Sequence, residues 1–263
     1  MKPLESTHIL TRIVEAKRQR LARTKMRVPE AVCRHLATKA PDAPSFRDAL
    51  QNAKPVRIIS EVKKASPSKG VFTRSFSVPN LVQAYSEAGA SAISVVTEED
   101  FFQGDLGWIS KIRQTSSLPV LRKDFVYDPF QVYETRAAGA SAILFIVAML
   151  EPAELKELIA HAKELNLDAL VEVHDEAELG EALEAGAAIV GVNNRNLKTF
   201  DVDIQTSERL ARLIPDDRLF VVESGIHNRS DIDRLLDAGA DAFLIGEHFL
   251  TSPDPGKTLR GLL

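Results

Sequence analysis

The sequence contains only one cysteine, Cys33, among 263 residues. A single thiol excludes any intramolecular disulfide, and such low cysteine usage suits a reducing compartment. Two interpretations of Cys33 compete, a buried filler and a nucleophile. No Cys–His motif of a nucleophilic site surrounds it in sequence, so we expect a buried filler.

Long apolar runs are also absent. No stretch is long and apolar enough to span a bilayer. The first 20 residues lack the uninterrupted apolar segment of a signal peptide. We therefore expect a cytoplasmic protein that has no membrane partner.

The chain has no large excess of charge of either sign, since its formal net charge is −4 and both signs are mixed along it. A sequence-independent nucleic-acid binder needs a concentrated positive face, so we expect no nucleic-acid partner. Basic residues do crowd between positions 17 and 27, with Glu5 and Glu15 close by. This pattern favours a solvated helix face.

Four glycines mark an internal repeat in which a helix end, a turn and an apolar run follow one another. They are Gly89, Gly139, Gly186 and Gly239, separated by 50, 47 and 53 residues. That spacing is about twice the length of one strand–helix unit. A glycine after a helix adopts the left-handed conformation and turns the chain into the next strand.

Further β-branched runs lie at 56–62, 118–121, 169–173 and 219–222, which gives eight candidate strands. Apolar runs without polar alternation indicate strands buried on both faces, as in a parallel sheet. An open doubly wound sheet would be expected to carry GxGxxG after its first strand, and that motif is absent. The sequence predicts a single α/β domain over 1–263, a (β/α)8 TIM barrel with extra helices in residues 1–54 packed on it.

Polar residues interrupt the apolar strands at their carboxyl ends, where barrel enzymes carry their functional groups. The first strand ends in Glu61 and Lys63, which point to the same side because they are two residues apart. The third ends in Lys123 and the fifth carries Glu172. The sixth and seventh end in Asn193-Asn194-Arg195 and Glu223-Ser224-Gly225. These charges are either a self-neutralising structural network or a reaction centre, and their convergence on one barrel mouth favours the reaction centre.

A phosphate site is also indicated, because barrels often bind phosphate on backbone N–H groups after their last two strands. Ser224-Gly225 and Gly246-Glu247 occupy those positions. We expect the Glu247 carboxylate to point away from the anion. Lys63, Lys64 and Ser66 of the first loop offer charge and hydroxyl donors, unless that loop is only a surface turn. Phe101, Phe102 and Phe125 are core residues or the walls of a flat apolar pocket.

The residues at these positions resemble the indole-3-glycerol phosphate synthase family. The most specific segment is ISEVKKASPSKG at 59–70. Supporting segments are SVVTEEDFFQG (94–104), LPVLRKDFVYDP (118–129), LVEVHD (170–175), GVNNRNLKTFD (191–201), ESGI (223–226) and LIGE (244–247).

This resemblance implies a carbon–carbon lyase of tryptophan biosynthesis that uses no cofactor and no metal. Its substrate would be 1-(2-carboxyphenylamino)-1-deoxyribulose 5-phosphate, which closes to an indole while losing carbon dioxide and water. Lys123 matches the family's general acid and Glu172 its proposed general base. The other matching catalytic positions are Lys63, Glu61, Asn193 and Ser224. The matching substrate-binding positions are Ser66, Arg195, Gly225, Gly246, Glu247, Phe102, Phe125 and Leu144.

Two residues depart from the family pattern. His248 stands where a small residue is usual, and Phe145 replaces the more usual Leu beside the ring pocket. No second barrel follows Leu263, which leads us to expect the single-function form, as a monomer or weak homo-oligomer. Three other functions stay open: a sugar-phosphate isomerase such as phosphoribosylanthranilate isomerase, an aldolase-like barrel with a Schiff base on Lys123, and a non-catalytic barrel that senses a phosphorylated ligand.

Overall fold

Eight parallel strands form a closed barrel in a computed structural model that describes residues 1–2, 9–51, 54–73 and 75–263. The barrel strands are β1 (Ile58–Val62), β4 (Ala92–Val96), β5 (Val120–Lys123), β6 (Ala142–Ile146), β7 (Asp168–Val173), β8 (Ile189–Asn193), β9 (Leu219–Glu223) and β10 (Ala242–Ile245). A short antiparallel hairpin, β2 (Ala65–Ser66) and β3 (Gly70–Val71), follows β1. Pairing of β1 with both β4 and β10 closes the sheet. The predicted (β/α)8 barrel is confirmed, and the open sheet is excluded.

Helices connect the strands and surround the barrel. They are α4 (Val78–Ala88), α5 (Gly107–Thr115), α6 (Pro129–Ala137), α7 (Pro152–Glu164), α8 (Glu176–Glu184), α9 (Gln205–Ala211), α10 (Arg229–Asp237), α11 (Glu247–Leu250) and α12 (Pro255–Arg260). Several begin at a capping side chain that accepts a hydrogen bond from a first-turn N–H, as Asp175 does for α8 and Asn228 for α10. These caps fix where each loop ends and each helix starts.

All four repeat glycines have the left-handed conformation, with φ between 88° and 104°. Each follows a helix and directs the chain into a strand that is buried along its whole length or nearly so. The repeat in the sequence therefore reports true helix–strand turns.

The strand register brings the polar strand ends to one rim of the barrel. Lys123 is level with Val96 of β4, and Asn193 is level with Glu223 of β9. The four strands with predicted bounds differ slightly in extent: the first begins at Ile58, the third runs from Val120 to Lys123, the fifth begins at Asp168 and the seventh ends at Glu223. Lys123 is thus the last residue of its strand, which orients it at the barrel mouth.

Among the described residues before the barrel there are three helices: α1 (Ile9–Arg27), α2 (Glu30–Lys39) and α3 (Phe46–Gln51). Leu10 and Val14 of α1 and Phe46 and Leu50 of α3 belong to the same buried apolar cluster as the barrel strands. Cys33 is buried with Leu21, Ala37, Phe130 and Tyr133 in a second cluster. Burial raises the pKa of the Cys33 thiol to about 11, which suits the predicted filler and not a nucleophile.

The prediction of a solvated basic face on α1 is wrong for Lys17. Its side chain is 5% exposed, and Nζ lies 2.9 Å from Asp124 Oδ1 and 2.8 Å from Glu99 Oε2. Arg122 bonds to the same Asp124 at 2.9 Å. Charge pattern alone could not show that these carboxylates face α1 from the barrel. Glu5 lies outside the described residues.

Among the described helices, none is long and apolar enough to cross a membrane.

Candidate active site

A cavity of about 420 Å³ opens at the carboxyl ends of the strands. All fourteen site residues predicted from the sequence line it. They come from all eight barrel strands or the loops that follow them, so only closure of the barrel brings them together. These residues are Glu61, Lys63, Ser66, Phe102, Lys123, Phe125, Leu144, Glu172, Asn193, Arg195, Ser224, Gly225, Gly246 and Glu247.

Lys123 lines the cavity and contacts two carboxylates. Its Nζ lies 2.9 Å from Glu172 Oε2 and 2.8 Å from Glu223 Oε2. The lysine side chain is 18% exposed and both carboxylates are 3% exposed. One ammonium thus bridges two nearly buried carboxylates and remains reachable from the cavity.

Glu61 and Lys63 form a second ion pair, with Lys63 Nζ 2.5 Å from Glu61 Oε2. Tyr85 of α4 donates to the backbone carbonyl of Glu61 at 3.3 Å and supports the strand from behind. A side chain at Gly246 would collide with the Glu61 carboxylate, so glycine is required there for space. The two-residue spacing did predict that Glu61 and Lys63 share a side.

Asn193 connects the carboxylate cluster to the strand that follows. Its Nδ2 donates to Glu172 Oε1 at 3.2 Å. Its Oδ1 accepts from Ser224 Oγ at 2.9 Å and from the Arg195 backbone N–H at 3.0 Å. Because the amide is held on both sides, its orientation and that of Ser224 are fixed. Ser224 itself has φ 67°, a strained conformation for a non-glycine residue.

The expected phosphate site is lined by Gly225, which precedes α10, and by Gly246, which precedes α11. That the Glu247 carboxylate points away from the anion stays a prediction. The carboxylate lies 3.1 Å from Arg195 Nη2 and 3.5 Å from Lys69 Nζ, and all three residues line the cavity. The two cations therefore partly neutralise the carboxylate. His248 also lines the cavity, with its ring 5.8 Å from that of His227.

The cavity also has an apolar wall. The rings of Phe102 and Phe125 are 6.0 Å apart and tilted by 37°, and Leu144 lines the cavity with them. Phe101, considered with them, instead lies under the guanidinium of Arg12 on α1, at 5.6 Å. Phe145 is fully buried outside the cavity lining, because side chains alternate along β6 and it is Leu144 and Ile146 that face the cavity. Ile9, Leu10 and Ile13 of α1 complete the wall.

The two carboxylates on Lys123 differ in their protonation. Burial opposes ionisation of Glu172, but Lys123 and His174 together outweigh it and hold the pKa of that carboxyl well below its usual range. Burial raises the pKa of Glu223 to about 7, while Lys123 opposes the shift and Glu172 adds to it. Burial also opposes the charge on Lys123, yet Glu172 and Glu223 raise its pKa above the ordinary value. These shifts favour the ammonium form of Lys123 and the ionised form of Glu172, and they favour the protonated form of Glu223.

Glu223 is the site residue that the sequence-based selection missed. Glu223 is a charged residue at the end of an apolar strand, directly before the selected Ser224, and that position could have indicated a site residue. Gly191, one strand away, was a second signal, since a side chain there would collide with Glu223 Oε1. A glycine inside a buried strand often marks close approach of another group.

A closed barrel whose mouth holds an ammonium between two carboxyls, an apolar wall and a glycine-lined end defines a (β/α)8-barrel enzyme of acid–base chemistry. Sequence comparison identifies the family. A family model described as indole-3-glycerol phosphate synthase matches residues 10–262. The chain belongs to the indole-3-glycerol phosphate synthase family, whose members are decarboxylating lyases of tryptophan biosynthesis. This confirms the predicted family and function over the isomerase and the ligand-sensing barrel.

Relatives named indole-3-glycerol phosphate synthase match nearly the whole chain. That of Dehalococcoides mccartyi strain CBDB1 is 48% identical over 258 residues, covering 97% of this chain and 100% of the relative. That of Albidiferax ferrireducens is 45% identical over 259 residues, covering 97% and 98%. Matches of this extent include both the N-terminal helices and the barrel.

More distant solved structures share the fold alone. The 3-hexulose-6-phosphate synthase of Salmonella typhimurium superposes with a TM-score of 0.65 at 16% identity, covering 79% of this chain and 96% of that one. A mutant tryptophan synthase alpha-subunit of Pyrococcus furiosus gives 0.60 at 16% identity, covering 78% and 97%.

Proposed function

We propose that this enzyme converts 1-(2-carboxyphenylamino)-1-deoxyribulose 5-phosphate to indole-3-glycerol phosphate, with Lys123 as the general acid of ring closure. The observation that carries the proposal is the Lys123 ammonium, fixed between Glu172 and Glu223 at the cavity surface. Attack by the aromatic ring on the ketone places negative charge on the ketone oxygen. A positioned ammonium lowers that barrier by donating its proton.

Glu172 acts as the general base of the final dehydration. Its carboxyl is ionised at neutral pH and lies within reach of the same reacting centre as Lys123. Dehydration removes one proton and one hydroxyl group, so it needs a base and an acid in one cavity. Carbon dioxide leaves between the two steps, and the electron pair of the broken carbon–carbon bond returns to the anthranilate ring. The recovered aromaticity favours this step, so the reaction needs no cofactor or metal.

Glu223 resupplies the proton of Lys123. Its Oε2 is 2.8 Å from Lys123 Nζ and its pKa of about 7 lets it gain and lose a proton near neutrality. A group that exchanges protons easily at working pH and touches the acid is suited to this task. The cycle then returns Lys123 to its ammonium form.

The remaining residues bind and orient the substrate. Lys63 lies near the carboxylate and phosphate of the substrate, and Glu61, Asn193 and Ser224 hold these groups in place. The anthranilate ring packs on the apolar wall of Phe102, Phe125 and Leu144. At the opposite end, the phosphate is bound by Ser66, Arg195, Gly225, Gly246 and Glu247, the last through its backbone N–H.

Indole formation from the purified protein tests the proposal. We expect the carboxyphenylamino-deoxyribulose phosphate to yield a product with indole fluorescence, equally with and without a chelator. Borohydride treatment in the presence of substrate should leave Lys123 unlabelled, because an ammonium held between two carboxyls is a poor nucleophile. Folded protein that forms no indole, or covalent reduction onto Lys123, would contradict the assignment.

The domain organisation, cellular location and oligomeric state of the protein are also proposals. We infer a single domain over 1–263 that acts in the cytoplasm as a monomer or weak homo-oligomer, without a nucleic-acid or membrane partner. The net charge of −4 and the mixing of both signs along the chain support the absence of a nucleic-acid partner. Light scattering over a concentration series should give the mass of one chain, or a dimer only at high concentration.

A further inference from the structure

His174 lies directly after β7, two residues beyond Glu172, and its ring is held by α8. Its Nδ1 lies 2.9 Å from Glu178 Oε2, and the same oxygen accepts the His174 backbone N–H at 2.8 Å. Glu178 belongs to the first turn of α8, where the helix dipole favours a carboxylate. Two contacts to one carboxylate fix the orientation of the imidazole.

This orientation directs the other ring nitrogen at the proposed base. His174 Nε2 lies 3.4 Å from Glu172 Oε1. Nε2 is buried, and no hydrogen-bond partner of acceptable geometry is present for it among the described residues. His174 is absent from the described cavity lining, so it stands behind Glu172 with respect to the substrate. A small movement of either side chain would complete a hydrogen bond between them.

The environments of the two carboxyls on Lys123 differ because of this histidine. Lys123 donates a hydrogen bond to Glu172 Oε2. Asn193 donates to Oε1, and His174 Nε2 lies near the same oxygen. Glu223 is bonded to Lys123 through Oε2, and its Oε1 has no hydrogen-bond partner among the described residues. Within the described part of the chain, only one of the two buried carboxyls therefore has a second basic side chain within 4 Å.

We propose that His174 is a positioning residue that keeps Glu172 ionised after Lys123 has given its proton to the substrate. Donation turns the ammonium into a neutral amine, and a buried carboxylate that loses its counter-charge tends to take up a proton. The imidazolium of His174 remains beside Glu172 at that moment, so the base needed for dehydration survives. The proton that restores Lys123 comes from Glu223. This inference rests on the proposed roles of Lys123 and Glu172.

The charges around the ring support an imidazolium. Burial opposes it, but Glu172 on β7 and Glu178 on α8 raise the pKa of His174 to about 10. From the neighbouring strands, Lys123 of β5 contacts Glu172 Oε2, and Asn193 of β8 donates to Oε1, the oxygen that His174 also approaches. The ring is therefore charged throughout the physiological pH range.

The pH dependence of kcat in His174→Gln tests the proposal. Glutamine places an amide nitrogen near the position of Nε2 but carries no charge, so Glu172 should take up a proton more readily. We expect the acidic limb of the kcat profile to move up by at least one pH unit. At pH values below the wild-type limb, that shift means about a tenfold loss of kcat, whereas turnover at pH 9 stays near normal and KM stays within about twofold.

His161→Gln is the matched control, because His161 on α7 is also partly buried beside a glutamate, but its contacts, Glu164 and Tyr133, do not line the cavity. Its profile should overlay that of the wild type. A uniform loss of kcat at every pH in His174→Gln, or an unshifted limb, would overturn the proposal. If the wild type itself forms no indole, it is the proposed function that fails.

A measurement that does not depend on turnover is the titration of His174 by NMR in the isotope-labelled full-length protein. We expect the His174 ring to stay protonated up to about pH 9. In the Glu178→Gln variant the ring should lose its proton at lower pH, because one of the two carboxylates that raise its pKa is gone. Titration of His174 near 6.5 in the folded wild type would refute the charged ring on which the proposal depends.

Discussion

Gly191 of β8 provides the space that the carboxyl of Glu223 occupies in β9. A side chain at Gly191 would collide with Glu223 Oε1 and would also touch Leu170. The position of one carboxyl on Lys123 therefore depends on the absence of a side chain on the neighbouring strand. This relationship gives a test that leaves every polar group of the site chemically intact.

We expect Gly191→Ala to reduce kcat by at least about tenfold, because displacing Glu223 misplaces Lys123. Steady-state kinetics and thermal unfolding would measure it. Gly180→Ala is the control, since nothing lies within 4 Å of a side chain there and the residue is inside α8. That variant should keep full activity and gain about 0.5–1 kcal/mol of stability. Normal kcat in Gly191→Ala would show that Glu223 needs no fixed position.

Lys123→Ala should lower kcat by about a hundred- to ten-thousand-fold while substrate affinity stays measurable, because the variant lacks the proton donor. Single-turnover fluorescence separates the two quantities. Lys111→Ala, a change at an exposed lysine on α5, is the control. Turnover near the wild-type rate in Lys123→Ala would refute its role as the acid.

Glu223→Gln tests the raised pKa of Glu223. A carboxyl whose folded pKa is about 7, against 4.5 for the ordinary group, contributes stability at low pH that is lost as pH rises through 7. The amide cannot ionise, so the decline in unfolding free energy between about pH 4.5 and 7 should be shallower in the variant. Urea unfolding over this range measures it. Identical slopes in both proteins would mean that Glu223 ionises at its usual pH.

Lys17→Met should destabilise the fold by about 3 kcal/mol, because it removes a nearly buried cation from Asp124 and Glu99. Arg20→Met removes a much more exposed partner of Asp100 and should cost less than about 1 kcal/mol. Denaturant unfolding compares them. Since α1 supplies Leu10 and Ile13 to the cavity wall, KM should rise in Lys17→Met as well. Equal stabilities would show that Lys17 does not anchor α1.

Arg195→Met should raise KM by about 10- to 100-fold with a smaller effect on kcat, as expected for loss of a charged hydrogen bond to the phosphate. Inorganic phosphate should inhibit the wild type competitively and the variant more weakly. Arg209→Met, which breaks an exposed pair with Glu176 away from the cavity, is the control. An unchanged KM would indicate that Arg195 serves only to neutralise Glu247.

Periodicity and glycine spacing were sufficient to predict the barrel, because the turns after Gly89, Gly139, Gly186 and Gly239 are local events. The polar strand ends could be selected for a related reason: a charge such as Lys123 at the end of an apolar strand conflicts with burial unless it has a function. The errors concern partners from distant parts of the chain. Lys17 was assigned to solvent because Asp124 is 107 residues away in sequence.

By itself, the sequence determined the eight strand–helix units, the rim at which their polar ends emerge and the family to which the chain belongs. Each of these follows from short segments whose residue types restrict the backbone or the solvent exposure directly. Only the tertiary structure decided that Glu223 shares Lys123 with Glu172, that Arg195 neutralises Glu247 and that His174 stands behind the proposed base. Those relationships depend on strand register and barrel closure, which set distances between residues that no local pattern connects.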